Sequence, residues 1–178
     1  MKKVLIIILI WALAFYAAKV FITIYQADEY LHQSQVYLTE GDTDMALFSI
    51  NLAIKNNPLE PNYYRVRAKI LMVGIAKDEA FADLQSAYKL NPNNLVTIRN
   101  EIPLYYFLAG YPSLDEKYLS LAKNFFEESK MIYKNDAGVV SLIAKYEKKL
   151  NLVDEYQESV KMVGVLRPDL LDWYDSFR

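Results

Sequence analysis

Two stretches of the chain repeat each other at a spacing of 34 residues, and that spacing constrains the fold more than any other feature. Ala46, Ala53 and Pro58 return as Ala80, Ala87 and Pro92; Tyr30 returns as Tyr64, and the small Ser34 returns as Ala68. Between these positions the apolar residues follow helical spacing, interrupted near Gly41 and again near Gly74. In repeat architectures no unit buries its apolar face alone; stacked neighbours bury it together. The spacing has a direct physical reading. Alanines seven residues apart lie on one helix face, and their small side chains let a neighbouring helix approach closely. A proline after the second helix cannot continue it, so the chain turns there and the next unit begins.

These residues resemble the tetratricopeptide repeat (TPR) family, whose signature is a 34-residue unit of two helices with paired alanines and a closing proline. In the first unit Tyr30, Ser34 and Tyr37 fall on the first helix, Gly41 on the turn, and Ala46, Ile50 and Ala53 on the second helix, with Pro58 closing. Gln33 stands where the family usually has leucine. The second unit matches through Tyr64, Ala68, Leu71, Ala80, Leu84, Ala87 and Pro92; it departs at Arg67, again a leucine position, and at Ile75, the turn-glycine position, with Gly74 one place early. The third unit is irregular. Its first helix, about Asn93 to Ala109, contains Pro103, which predicts a kink or an early break. Gly110-Tyr111-Pro112 reads as a turn, and Ser113-Leu114-Asp115-Glu116 as a capping box opening a helix from Leu114 to Tyr133. That helix carries Ala122, Phe126 and Ser129 at the repeat positions, about eight residues late against the 34-residue frame. In the fourth unit Asn135-Asp136 caps the first helix, Ala144 is the small residue, Asn151 makes the turn, Val160 and Val163 line the second helix and Pro168 closes.

The resemblance implies an all-α, right-handed solenoid occupying residues 25–178, with about four helix-turn-helix units at 27–60, 61–94, 95–136 and 137–170. The stretch 169–178 (DLLDWYDSFR) is expected to form a terminal helix covering the last unit's apolar face, as solenoids require.

Residues 1–24 are different in kind. Met1-Lys2-Lys3 precedes Val4 to Ile24, which carries one charge, Lys19, and neither Pro nor Gly. At 1.5 Å per residue this makes a helix of about 31 Å, matching a bilayer core of about 30 Å. Lys19 lies close enough to the Ile24 end for its stem to snorkel to the headgroups, and Tyr25 is placed as an interfacial anchor. A cleaved signal peptide would use Ala12-Leu13-Ala14, but apolar sequence continues ten residues beyond it. A buried core helix would not be so long or so uniformly apolar. The expectation is a retained transmembrane anchor. Lys2 and Lys3 before the span, against Asp28 and Glu29 after it, predict a cytoplasmic N-terminus and an extracytoplasmic remainder. Between Ile24 and the first repeat helix nothing ends a helix, so one helix is expected from about Val4 to about Glu40. The competing outcome is a break near Gln26–Asp28, with Asp28 as an N-cap.

Composition narrows the chemistry. The 178 residues include no cysteine, which excludes disulfide scaffolds, thiolate zinc sites, cysteine nucleophiles and iron–sulfur clusters. The single histidine, His32, excludes multi-histidine metal sites. Beyond residue 24 the chain carries 17 basic and 22 acidic groups, a balance opposed to general nucleic-acid binding. Glu127-Glu128 and Asp154-Glu155 are helix neighbours that point about 100° apart, so they read as solvated faces rather than catalytic carboxylate pairs. No nucleophile with its base and no phosphate loop is evident. The expectation is therefore a non-enzyme without metal or cofactor. Most of the 15 tyrosines, Tyr30, Tyr37, Tyr64 and Tyr88 among them, fall at repeat positions that fill the core.

The TPR resemblance further implies an inner groove lined by first-helix side chains. Carried onto this sequence, those positions are Gln35, Arg65, Lys69, Arg99, Asn100, Lys145 and Lys148. Such a basic groove in an acidic molecule would attract an acidic segment of a protein partner. Pro103 and Gly138 interrupt the carboxylate-clamp pattern of some family members. Ordinary surface lysines with no special field remain the competing reading. The implied function is a membrane-anchored protein–protein interaction module on the extracytoplasmic side of a bacterial inner membrane. Asn57 to Ala68 (NPLEPNYYRVRA) is also similar to repeat regions attached to bacterial O-antigen ligase-like proteins, which implies as an alternative an accessory role in envelope polysaccharide synthesis or export.

Overall fold

The computed structural model describes residues 2–170. The rest of the expected terminal helix, residues 171–178, lies outside the described residues. Among the described residues the chain is all-α, with eight α-helices, one short 3-10 turn and no strand. It divides into two compact units, Met1–Ala76 and Lys77–Arg178.

The first unit holds α1 (Lys2–Glu40), α2 (Thr43–Asn56) and α3 (Pro61–Val73). Helix α1 is continuous over 39 residues, so the chain does not break at Gln26–Asp28. From Ile6 to Ile22 every α1 side chain is exposed; the first fully buried one is Ala27. The helix stops where Gly41 takes φ +84°, and the Asp42 carboxylate accepts the Met45 N–H at 3.0 Å to open α2. Helix α2 returns antiparallel along α1, and buried Ser34 donates its hydroxyl to the Ala46 carbonyl at 2.9 Å. Close approach needs small residues here: Ala27, Ala46 and Ala53 share the core with Ile50, Tyr63, Val66 and Ile70. Pro61 occupies the first turn of α3, and Glu60 accepts the Asn62 N–H at 3.0 Å.

The fully buried tyrosine is Tyr63, not Tyr64. The Tyr63 hydroxyl donates to Asp28 at 2.5 Å, and burial together with that carboxylate raises the phenol above its ordinary pKa. Tyr64 is half-buried and donates to the Pro58 carbonyl at 3.0 Å. Tyr30 and Tyr37 are half-buried and pack against this core from its edge, and Tyr88 is half-buried against Phe125.

The second unit holds α4 (Lys77–Leu90), α5 (Leu95–Gly110), α6 (Glu116–Ile132), α7 (Ala137–Lys149) and α8 (Val153–Leu166). Ala80, Leu84 and Ala87 are fully buried on α4. Helix α5 opens with Asn94 accepting the Val96 and Thr97 N–H groups and runs past Pro103 to Gly110 without ending. Proline there removes only the bond to the Arg99 carbonyl. Helix α6 starts later than the capping-box reading: Asp115, not Ser113, is the N-cap, its carboxylate accepting the Lys117 N–H at 3.0 Å. Ala122, Phe126 and Ser129 are buried as the frame predicts, and so are Tyr118, Phe125 and Lys130. Asp136 caps α7 by accepting the Val139 N–H at 2.9 Å. Asn151 makes the next turn at φ +59°. On α8 Val163 is fully buried, but Val160 is only half-buried, and Ser159 takes the inner position beside it. The apolar pair Val140 and Ala144 of α7 is packed against Val163, with Tyr156, Met162, Leu166 and Leu170 around them.

Candidate partner-binding surface

In the first unit Gln35 lies exposed on α1 and Lys69 exposed on α3, whereas Arg65, one turn before Lys69, is buried. Buried guanidinium carries its charge into the fold and is not available as a surface contact.

In the second unit the predicted basic residues fall into two environments. Arg99 on α5 reaches α7 and pairs with Asp136 at 3.0 Å. It passes directly over Gly138, where a Cβ would come within 2.5 Å of the guanidinium. The glycine that interrupts the carboxylate-clamp pattern is thus what admits the arginine. Burial pushes the Asp136 carboxyl up, but the Val139 N–H and Arg99 outweigh it and hold it below its ordinary value. Asn100 is exposed beside Arg99.

Lys145 and Lys148 belong to an aromatic–basic cluster that includes side chains the sequence reading passed over. The Tyr106 and Tyr146 rings, on α5 and α7, are 5.0 Å apart. The Lys149 ammonium lies 5.6 Å from the Tyr106 ring centre and 5.8 Å from that of Tyr146. Lys145 lies 5.7 Å from the Tyr146 ring, and Lys148 lies 5.6 Å from the Tyr156 ring on α8. Burial and the neighbouring Tyr106 raise the Tyr146 phenol. Three ammonium groups on the last turns of α7, each near a ring face, form a cationic surface. The signal was present as the run Lys145-Tyr146-Glu147-Lys148-Lys149 following Tyr105-Tyr106 one repeat earlier, but only packing brings the two together.

A concavity lies between α4, α5 and α6. It is an open cleft of about 300 Å³ whose lining includes Phe81, Tyr88, Tyr105 and Phe125 beside the polar Gln85, Lys89, Asn124 and Glu128. Tyr105 stacks on Phe125 at 4.1 Å, while Phe81 and Tyr88 meet them edge-on. Burial and the Glu101 charge raise the Tyr105 phenol. The rings are satisfied by each other.

His32 is exposed, and no group of three potential metal ligands occurs among the described residues. One member of each neighbouring carboxylate pair is tied up in an ion pair rather than standing on a solvated face: Glu127 meets Lys130 at 2.7 Å, and Glu155 pairs with Lys123.

Solved structures share this architecture. The crystal structure of MamA superposes with a TM-score of 0.56 at 15% identity, covering 80% of this chain and 79% of that one. TTC0263, a thermophilic TPR protein of Thermus thermophilus, superposes with a TM-score of 0.54 at 18% identity over 80% of this chain and 75% of its own. YrrB, described as a TPR protein with an unusual peptide-binding site, gives 0.50 at 14% identity over 78% and 68%. No protein-family model matches the sequence, and no curated protein sequence does. The fold is that of the TPR proteins.

Proposed function

We propose that the protein is a membrane-anchored, non-enzymatic TPR module that binds a protein or peptide partner. Residues 4–24 of α1 cross a bacterial inner membrane once, with the N-terminus in the cytoplasm, and residues 25–178 stand on the extracytoplasmic side. One observation carries the anchor: from Ile6 to Ile22 every α1 side chain is exposed and all but Lys19 are apolar, and nothing among the described residues covers them. A soluble core helix of this composition would be buried. Exposure to water costs roughly 25 cal/mol for each Å² of such apolar surface, and a bilayer removes that cost.

The partner reading rests on the cationic surface of α7. Lys145, Lys148 and Lys149 lie over Tyr146, Tyr156 and Tyr106, in a chain whose part beyond residue 24 has an excess of acids. An acidic segment is the complementary partner chemistry.

A reporter fused after Arg178 tests the topology. It is expected to be active only outside the cytoplasm; a cytoplasmic signal would overturn orientation and localisation together. Photocrosslinking from α7 in the intact membrane, read by mass spectrometry, tests the partner. Crosslinks to one protein, lost when Lys145, Lys148 and Lys149 are replaced together by Glu, are expected. Crosslinks to polysaccharide-assembly proteins that survive the replacement would favour the envelope-polysaccharide role instead.

A further inference from the structure

The loop joining α2 to α3 is held rigidly at the end of the first unit where α1 leaves its exposed apolar run. The level is fixed by Tyr63, whose hydroxyl donates to Asp28 at 2.5 Å. Asp28 lies four residues beyond Ile24, about 6 Å along the helix axis. The headgroup layer on each side of a bilayer core is of that same order, about 5–8 Å. The Tyr63 hydroxyl, carried by the first turn of α3, is therefore level with the headgroups of any bilayer that α1 spans.

The loop is fixed at both ends. The Tyr64 hydroxyl donates to the Pro58 carbonyl at 3.0 Å, and Glu60 accepts the Asn62 N–H at 3.0 Å. Between these ties stands Leu59, flanked closely by Pro58 and Pro61 and 74% exposed. An apolar side chain displayed on a braced loop gains nothing from water, and the described residues leave most of Leu59 uncovered. Among nearby charges Lys55 is outnumbered by Asp28, Glu29 and Glu60, so attraction to anionic lipid does not drive the contact.

We propose that Leu59 inserts into the interfacial region of the bilayer and forms a second, apolar contact between the first unit and the membrane. The occupant of this surface is lipid, neutral lipid included. The inference rests on the anchor reading and adds a consequence: the unit is held at two points, a helix and a loop, so its tilt against the bilayer is fixed.

The absence of native cysteine makes the test direct. Full-length Leu59→Cys, labelled with an environment-sensitive fluorophore, is reconstituted into phosphatidylcholine nanodiscs. Asp44→Cys, exposed at the start of α2 and so at the opposite end of that helix, is the control. The expected result is blue-shifted emission at position 59 and at least threefold stronger quenching by lipids carrying a shallow nitroxide than at position 44. Equal, water-like emission at both positions in chains that do enter the nanodiscs would overturn the loop contact and leave the anchor standing. Failure of the full chain to enter nanodiscs would overturn the anchor and the contact with it.

Discussion

Ile75 carries a backbone conformation that isoleucine resists. Gly41 ends the first helix of its unit at φ +84°, and Ile75, 34 residues on, sits in the same left-handed region at φ +63°. Asn151 does so at φ +59°. Glycine adopts this region freely and asparagine tolerates it, but for a β-branched residue it costs about 1–2 kcal/mol. The Ile75 side chain is 62% exposed, so little packing offsets the strain. Ile75→Gly should therefore raise stability by up to about 1 kcal/mol after glycine's own backbone entropy is subtracted. Thermal unfolding should show a rise of roughly 2–4 °C, and a fall would mean that the side chain packs more than its exposure indicates. The opposite sign is expected at the buried alanines. Ala53→Leu or Ala87→Leu forces side chains into close helix contacts and should cost about 1–3 kcal/mol; an unchanged melting temperature would contradict the packing. The sequence made these alanines legible because their spacing is periodic. It did not distinguish Tyr63 from Tyr64, since adjacent tyrosines look alike until Asp28, more than thirty residues away, supplies the acceptor for one of them.

At the scale of elements, α6, α7 and α8 meet around a buried ion pair. Lys130 is 4% exposed and Glu147 1%, and the ammonium reaches Glu147 at 3.1 Å, Glu127 at 2.7 Å and the Ser159 hydroxyl at 3.3 Å. Burial works against the Lys130 charge, but the two carboxylates outweigh it and raise its pKa. Burial likewise raises the Glu147 carboxyl, despite Lys130 beside it. The helix frame predicts Ser129 and Ala144 correctly, yet Glu147 occupies the slot that Tyr37 fills in the first unit. No periodicity announces a charge there, because its partner lies on a different helix. Lys130→Met should cost about 3–5 kcal/mol at neutral pH by leaving a buried carboxylate without its cation. Lys130→Met with Glu147→Leu should recover most of that loss. A carboxyl whose folded pKa is raised binds its proton more readily in the fold than in the unfolded chain, so its contribution declines as pH rises through the folded value. The penalty of Lys130→Met should accordingly shrink on acidification. Urea unfolding of the single and double variants at pH 5 and pH 7 measures both effects. Equal instability of the two variants would mean that the site is held by shape rather than by charge.

For the whole molecule, the decisive feature is that the exposed apolar segment and the first repeat helix are one piece. The sequence made this legible through an absence: Tyr25-Gln26 contains nothing that ends a helix, and α1 indeed runs from Lys2 to Glu40. From Ile24 to Glu40 the rod is about 24 Å long, the part that the proposed anchoring leaves outside the bilayer core, and α2 and α3 are packed on that same length. A unit built on such a rod cannot swing as it would on a disordered tether. Its surfaces would stay near the bilayer and favour partners that are membrane proteins or segments emerging beside it. Inserting Gly-Ser-Gly after Gln26 places a flexible joint just before Ala27, the first buried residue, and leaves the first unit's core sequence intact. With a fluorophore on Asp44→Cys in nanodiscs, the uninterrupted chain should lose anisotropy mainly at the slow tumbling rate of the disc. The insertion should add a fast component on the nanosecond scale, while the melting temperature changes little. If both chains tumble alike, the connection is held by contacts other than the helix, and continuity of α1 is not what restrains the module.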